Sequence, residues 1–125
     1  MYERLKERIH AGEPELLLIS YDDAHRATFR LRDCDGYDLG TLVCLGVRLM
    51  CLATQRESFD RLDVFPGSEL PAGFSWLSRE GMEEAKLFVF TAIGDYEDLS
   101  LLPVIDGRRV GYLVCDSLEF QPPEA

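Results

Sequence analysis

No apolar run in this chain approaches the ~18–20 residues that cross a bilayer, so the sequence predicts no membrane partner. The opening stretch (Tyr2, Glu3, Arg4, Leu5, Lys6, Glu7, Arg8) is charged where a secretory signal is apolar, which argues against export. Basic side chains are scarce, 13 against 23 acidic ones, and only Lys6 and Lys86 among them are lysines. A net charge of −10 repels phosphate backbones, so a sequence-independent nucleic-acid binder is excluded. Cysteine is limited to Cys34, Cys44, Cys51 and Cys115, with no C-x-x-C pair. That pattern predicts neither a disulfide scaffold nor a zinc site. Gly36, Gly40 and Gly46 do not fit G-x-G-x-x-G, and no glycine loop precedes a Lys-Ser/Thr pair, so no phosphate cradle is written here. The sequence points to no cofactor and no metal.

What is present is ordinary globular composition, 46% hydrophobic and 29% charged over 125 residues. That length suits one domain spanning residues 1–125, burying roughly two thirds of the surface of the unfolded chain. The charge is uneven. Residues 63–125 carry 12 acids and 4 bases, a net of −8, whereas residues 1–62 carry 11 and 9. Cys44, Cys51 and Cys115 sit in apolar runs, where a thiol behaves as a small hydrophobe. Four reduced thiols in the cytoplasm is the expected state.

Along the chain, Leu5 and Ile9 at helical spacing predict a short helix over residues 2–11, with Gly12 as its stop and Glu13-Pro14 as its breaker. Leu16–Tyr21 reads as a strand. Ala27–Arg32 alternates Phe29 and Leu31 with Arg30 and Arg32, as a half-exposed strand does. Asp35-Gly36 predicts a two-residue hairpin turn. The apolar run Leu39–Thr54 is open between a buried helix and one long strand; its Val and Leu content favours a strand, with Gly46 as a bulge or close approach. Arg61–Phe65 is a further short strand. Residues 66–78 form a loop tied down by Phe74, Trp76 and Leu77.

A second helix is expected over Ser78–Lys86, with Ser78 as its N-cap and Gly81 weakening it. Leu87–Ile93 is strand-like, although that helix has room to continue into it. Residues 101–105, Asp106-Gly107 and Arg109–Phe120 form a second hairpin. Together these signals predict an α+β class: a single β-rich domain, mostly antiparallel sheet with one or two short helices.

The candidate chemistry is thin. Asp33–Asp38 resembles a calcium loop until its sixth and twelfth positions are read, which are Asp38 and Cys44 in place of Gly and Glu. His25 follows Asp22-Asp23, and with Cys34 it sketches a Cys–His–Asp set, but no nucleophile signature surrounds Cys34. Two clusters mix acids with an aromatic: Asp95, Tyr96, Glu97 and Asp98, and Asp35, Tyr37 and Asp38. Aromatics supply contact area and acids steer a basic partner, so both are expected partner-binding surfaces.

The leading expectation is therefore a small non-enzymatic binding protein that occludes a basic protein partner, most concretely an immunity-type inhibitor of a bacterial toxin. One alternative is a small-ligand binder or hydrolase using carboxylates near the Phe74 and Trp76 loop. Another is a structural adaptor with an open sheet edge, for which a homodimer is one form.

Overall fold

The computed structural model describes residues 2–33, 35–52, 58–77, 81–92, 104–105 and 107–123. The chain opens with α1 (Glu3–Gly12), where Leu5 and Ile9 stand one turn apart and are both buried. The helix ends one residue later than its glycine suggests. Glu13 takes the left-handed position (φ 45°) and returns its N–H to Ile9 O, after which Pro14 prevents continuation.

Nine strands follow among the described residues: β1 (Glu15–Tyr21), β2 (Ala27–Arg32), β3 (Asp38–Leu45), β4 (Leu49–Cys51), β5 (Phe59–Pro66), β6 (Lys86–Ala92), β7 (Val104–Ile105), β8 (Arg108–Cys115) and β9 (Ser117–Gln121). All pairs are antiparallel. One sheet has the order β1-β2-β3-β9. The other has the order β4-β8-β6-β5, with β7 added to β8. This is a small α+β, β-rich domain.

The two sheets share two lines of chain. Leu39–Thr54 is not one strand, as the apolar content suggests: β3 lies in the first sheet and β4 in the second, with Gly46, Val47 and Arg48 crossing between them. Arg109–Phe120 breaks in the same way, at Asp116 between β8 and β9. Because β3 pairs with β9 and β4 with β8, the two crossings run side by side. Asp116 N–H donates to Leu45 O (2.9 Å) and Arg48 N–H to Val114 O (2.8 Å). Gly46 sits at φ 68°, and the Asp116 carboxylate occupies the space a Cβ would need. Arg48 then clamps the crossing: Nη2 lies 2.8 Å from Asp116 Oδ1, and Nη1 donates to Gly81 O at 2.7 Å.

On the opposite side, Phe59 N–H donates to Pro14 O (3.0 Å), and Glu15 bridges Ser58. The sheets thus enclose one principal core. Phe29, Phe59, Phe88 and Phe90 fill it together with Leu5 and Ile9 of α1, and Tyr2 meets Phe88 edge-on at 5.3 Å. A second apolar cluster lies on the other face of the five-stranded sheet. There Leu87, Val89, Val110 and Val114 are covered by Phe74, Leu77, Met82 and Ala85. β6 is buried on both faces, which is why Leu87–Phe90 reads as a continuous apolar run rather than an alternating one.

The expected helix over Ser78–Lys86 is absent from its described part. Residues Met82–Glu84 make a single 3₁₀ turn and the strand begins at Lys86. Gly81 stands at φ 87°, outside helical space, and Ser78 lies outside the described residues. Within the loop before it, Ala72–Leu77 forms 3₁₀ turns anchored by buried Phe74 and Leu77.

Candidate functional site

The Asp35, Tyr37 and Asp38 cluster forms the tip of the β2–β3 hairpin. Its turn is longer than the two-residue form that Asp35-Gly36 suggests, since Arg32 pairs with Asp38 and five residues lie between them. Asp33 organises it. Its Oδ1 accepts the N–H groups of Asp35 and Tyr37, both at 2.9 Å, and its carbonyl accepts Gly36 N–H at 3.0 Å. Such a side-chain cap mimics a backbone turn and holds the loop in one conformation. Gly36 supplies the positive φ (85°). Asp38 Oδ1 accepts Gly40 N–H (2.9 Å). Tyr37 is left 70% exposed, more than any other large apolar side chain described, between exposed Asp35 and Asp38. Asp95, Tyr96, Glu97 and Asp98, the other expected cluster, lie outside the described residues.

The β1–β2 turn repeats the device. Asp22 Oδ1 accepts the N–H groups of Ala24 (3.0 Å) and Arg26 (3.3 Å), and Oδ2 meets the Arg26 guanidinium at 2.9 Å. Desolvation pushes the Asp22 carboxyl upward, but these hydrogen bonds and the nearby cation outweigh it and hold the group below its usual value. His25 adopts φ 57°, with Nδ1 3.3 Å from the Tyr21 hydroxyl. Tyr21 and not a carboxylate is thus the ring's partner, and Asp22 is engaged with backbone and arginine. The sketched Cys–His–Asp set has no assembled His–Asp pair, and Cys34 lies outside the described residues.

A cleft of about 570 Å³ opens beside the aromatic loop, on the outer face of the five-stranded sheet. Its floor is apolar, with Val89 of β6, Val110 of β8 and Phe74 all buried. Its rim is polar. Arg61 and Asp63 of β5 pair side-on (Nε–Oδ2 2.8 Å), and Arg108 of β8 donates Nη2 to Asp60 Oδ1 (3.1 Å) and to Ala92 O (2.7 Å). Phe74 lies against Tyr112 (5.4 Å), and half-exposed Trp76 packs on the same ring (5.7 Å), its indole N–H donating to Gly73 O. Of the aromatic pair named from the sequence, Phe74 lines this cleft and Trp76 does not. Arg61, Asp63, Thr91 and Arg108 carry no shared sequence signal, because three different strands bring them together.

Cys44 and Cys115 are buried neighbours in the principal core. The hydrogen bond between them and their desolvation push the Cys44 thiol far above its usual value, so it is a poor nucleophile. Half-buried Cys51 lies beside Tyr112, whose hydroxyl is shifted upward by burial and then by that thiol. Among the described residues no three His, Cys, Asp or Glu side chains converge to hold a metal ion. No described helix is long and apolar enough to cross a membrane.

Fold and site together define a small α+β domain with an acidic, tyrosine-tipped hairpin on one sheet and an arginine-rimmed cleft on the other. Comparison with protein-family models, with curated proteins and with solved structures finds no match to this chain.

Proposed function

We propose that this chain is a small acidic binding protein that neutralises a basic protein partner in the cytoplasm, most concretely an immunity-type inhibitor of a bacterial toxin. One observation carries the reading: Tyr37 stands 70% exposed between Asp35 and Asp38 on a turn already locked by Asp33. A pre-ordered aromatic loses little conformational entropy on docking and supplies much contact area. The flanking carboxylates and the net charge of −10 steer a cationic partner at low ionic strength. Toxins that act on nucleic acids or nucleotides present basic clefts, and a compact acidic inhibitor covers such a cleft sterically. In this reading Asp95, Tyr96, Glu97 and Asp98 extend the contact.

The test is affinity capture of a basic protein from the native host, followed by calorimetric titration of the chain with that protein at low and at moderate salt. Binding that weakens steeply with salt and with Tyr37→Ala supports the reading. Absence of binding, or binding indifferent to both, ends it.

A second reading has its own observation. Leu18, Ile19 and Tyr21 of β1 are exposed, and no described strand pairs with the outer edge of β1 beyond the Glu15 bridge. An apolar open edge suits an adaptor that adds a partner strand, including that of a second copy. Light scattering that reports a dimer, abolished by Ile19→Lys, favours this second reading.

A further inference from the structure

We infer that the cleft on the outer face of the five-stranded sheet binds a small amphipathic organic anion, with its apolar body on Val89, Val110 and Phe74 and its single negative group between Arg61 and Arg108. This site is independent of the hairpin tip and of the protein-neutralising reading. Three observations converge on it. The first is size: about 570 Å³ falls within the roughly 300–1,000 Å³ of small-molecule sites.

The second is charge. The chain carries −10, yet the cleft lining holds two arginines and one aspartate, and with Asp60 against Arg108 the charges there balance, so the cleft escapes the negative sign of the chain as a whole. A surface acting by bulk charge alone selects cations; anion selection needs a place where cations are held together. The third is preorganisation. Asp63 fixes Arg61, and Asp60 with the Ala92 carbonyl fixes Arg108, so neither guanidinium needs ordering when a headgroup arrives. The same carboxylates offset the arginine charge one for one. With a strongly acidic protein around them, they favour a monoanion, such as a carboxylate or sulfonate, over a polyphosphate.

The apolar requirement follows from the floor. Val89, Val110 and Phe74 belong to the second apolar cluster, and Ile105 of β7 closes one wall. A ring system or short alkyl body covers these side chains and removes apolar area from water, which a simple inorganic anion does not.

The experiment uses the full chain and two fluorescent probes that differ by one group. 8-Anilinonaphthalene-1-sulfonate carries the anion, and N-phenyl-1-naphthylamine has the same ring system without it. Trp76 is the sole tryptophan and lies 6.5 Å from Phe74, ring centre to ring centre, so energy transfer from it reports a probe bound to the protein, and the arginine variants below assign that probe to the cleft. The expected result is saturable one-to-one binding of the sulfonate with transfer from Trp76. The midpoint of thermal unfolding should rise with sulfonate concentration, as it does when a ligand binds the folded state.

Arg61→Gln and Arg108→Gln should each weaken the sulfonate about three- to five-fold, the scale of one exposed charge contact, and leave the neutral probe unaffected. Arg61 is two-thirds exposed, so its variant keeps the fold even if Arg108→Gln does not. The proposal is overturned if the neutral probe binds as tightly as the sulfonate, or if Arg61→Gln binds the sulfonate like the parent protein. It is equally overturned if the sulfonate lowers the unfolding midpoint, or shows no saturable binding.

Discussion

Replacing Gly46 by alanine tests the sheet crossing on which the whole arrangement depends. Two effects act there. The backbone is held at φ 68°, where an L side chain costs about 1–2 kcal/mol relative to glycine. The new methyl also falls on the Asp116 carboxylate, which must move away from Arg48. That ion pair is about half exposed, so its loss is discounted for solvent and adds about 0.5–1 kcal/mol. The expected total is about 1.5–3 kcal/mol, a drop in Tm of about 6–12 °C for a chain of this size.

Gly36→Ala provides the control. It has a similar φ, 85°, but nothing lies within 4 Å of its added Cβ, so only the backbone cost of about 1–2 kcal/mol applies. Urea unfolding followed by Trp76 fluorescence and circular dichroism measures both. The double variant Gly46→Ala with Asp116→Ala should cost less than the two single changes added together, because removing the carboxylate makes room for the methyl. If Gly46→Ala costs no more than Gly36→Ala, or if the double variant is additive, the close packing of the two crossings is refuted.

The remaining predictions concern the turns and the thiols. Tyr37→Ala should leave stability within about 0.5 kcal/mol, since the ring is mostly exposed, while Asp33→Ala should cost about 1 kcal/mol by removing two backbone partners; urea midpoints of the two variants check this, and a destabilised Tyr37→Ala would show that the ring serves the fold. The folded Asp22 carboxyl lies below its usual value of about 3.9, so its contribution is present above that pH and lost as pH falls through the lower folded value. The stability gap between the parent protein and Asp22→Asn should therefore close on acidification, and a gap that is constant from pH 7 to pH 2 contradicts the assignment. Of the three described thiols, Cys51 should be alkylated first by iodoacetamide, with Cys44 and Cys115 modified only through unfolding; peptide mass spectrometry over time reads the order, and early labelling of Cys44 refutes the burial of the pair.

Elements whose causes are local can be read from the order of residues alone. Leu5 and Ile9 followed by Pro14 specify α1, because helical spacing and a proline act within a few residues. The alternation of Ala27–Arg32 specifies a strand with one buried face, and Asp-Gly at residues 35–36 marks a turn, although the actual loop length depends on the Asp33 side chain. Antiparallel, β-rich architecture followed from these signals.

Features that depend on partners distant along the chain emerge only on folding. Whether Leu39–Thr54 is one strand or two rests on Asp116, 70 residues beyond Gly46; the visible hints were Gly46 and the lone Arg48 inside an apolar run. β6 lost its alternation because a second apolar cluster covers its outer face, and periodicity alone does not distinguish such a strand from a buried helix. The cleft exists only where β5, β6 and β8 pair, bringing Arg61, Thr91 and Arg108 to one face. Hydrogen bonding between strands joins residues without regard to their separation along the chain, so a binding surface built across several strands leaves no local pattern to read.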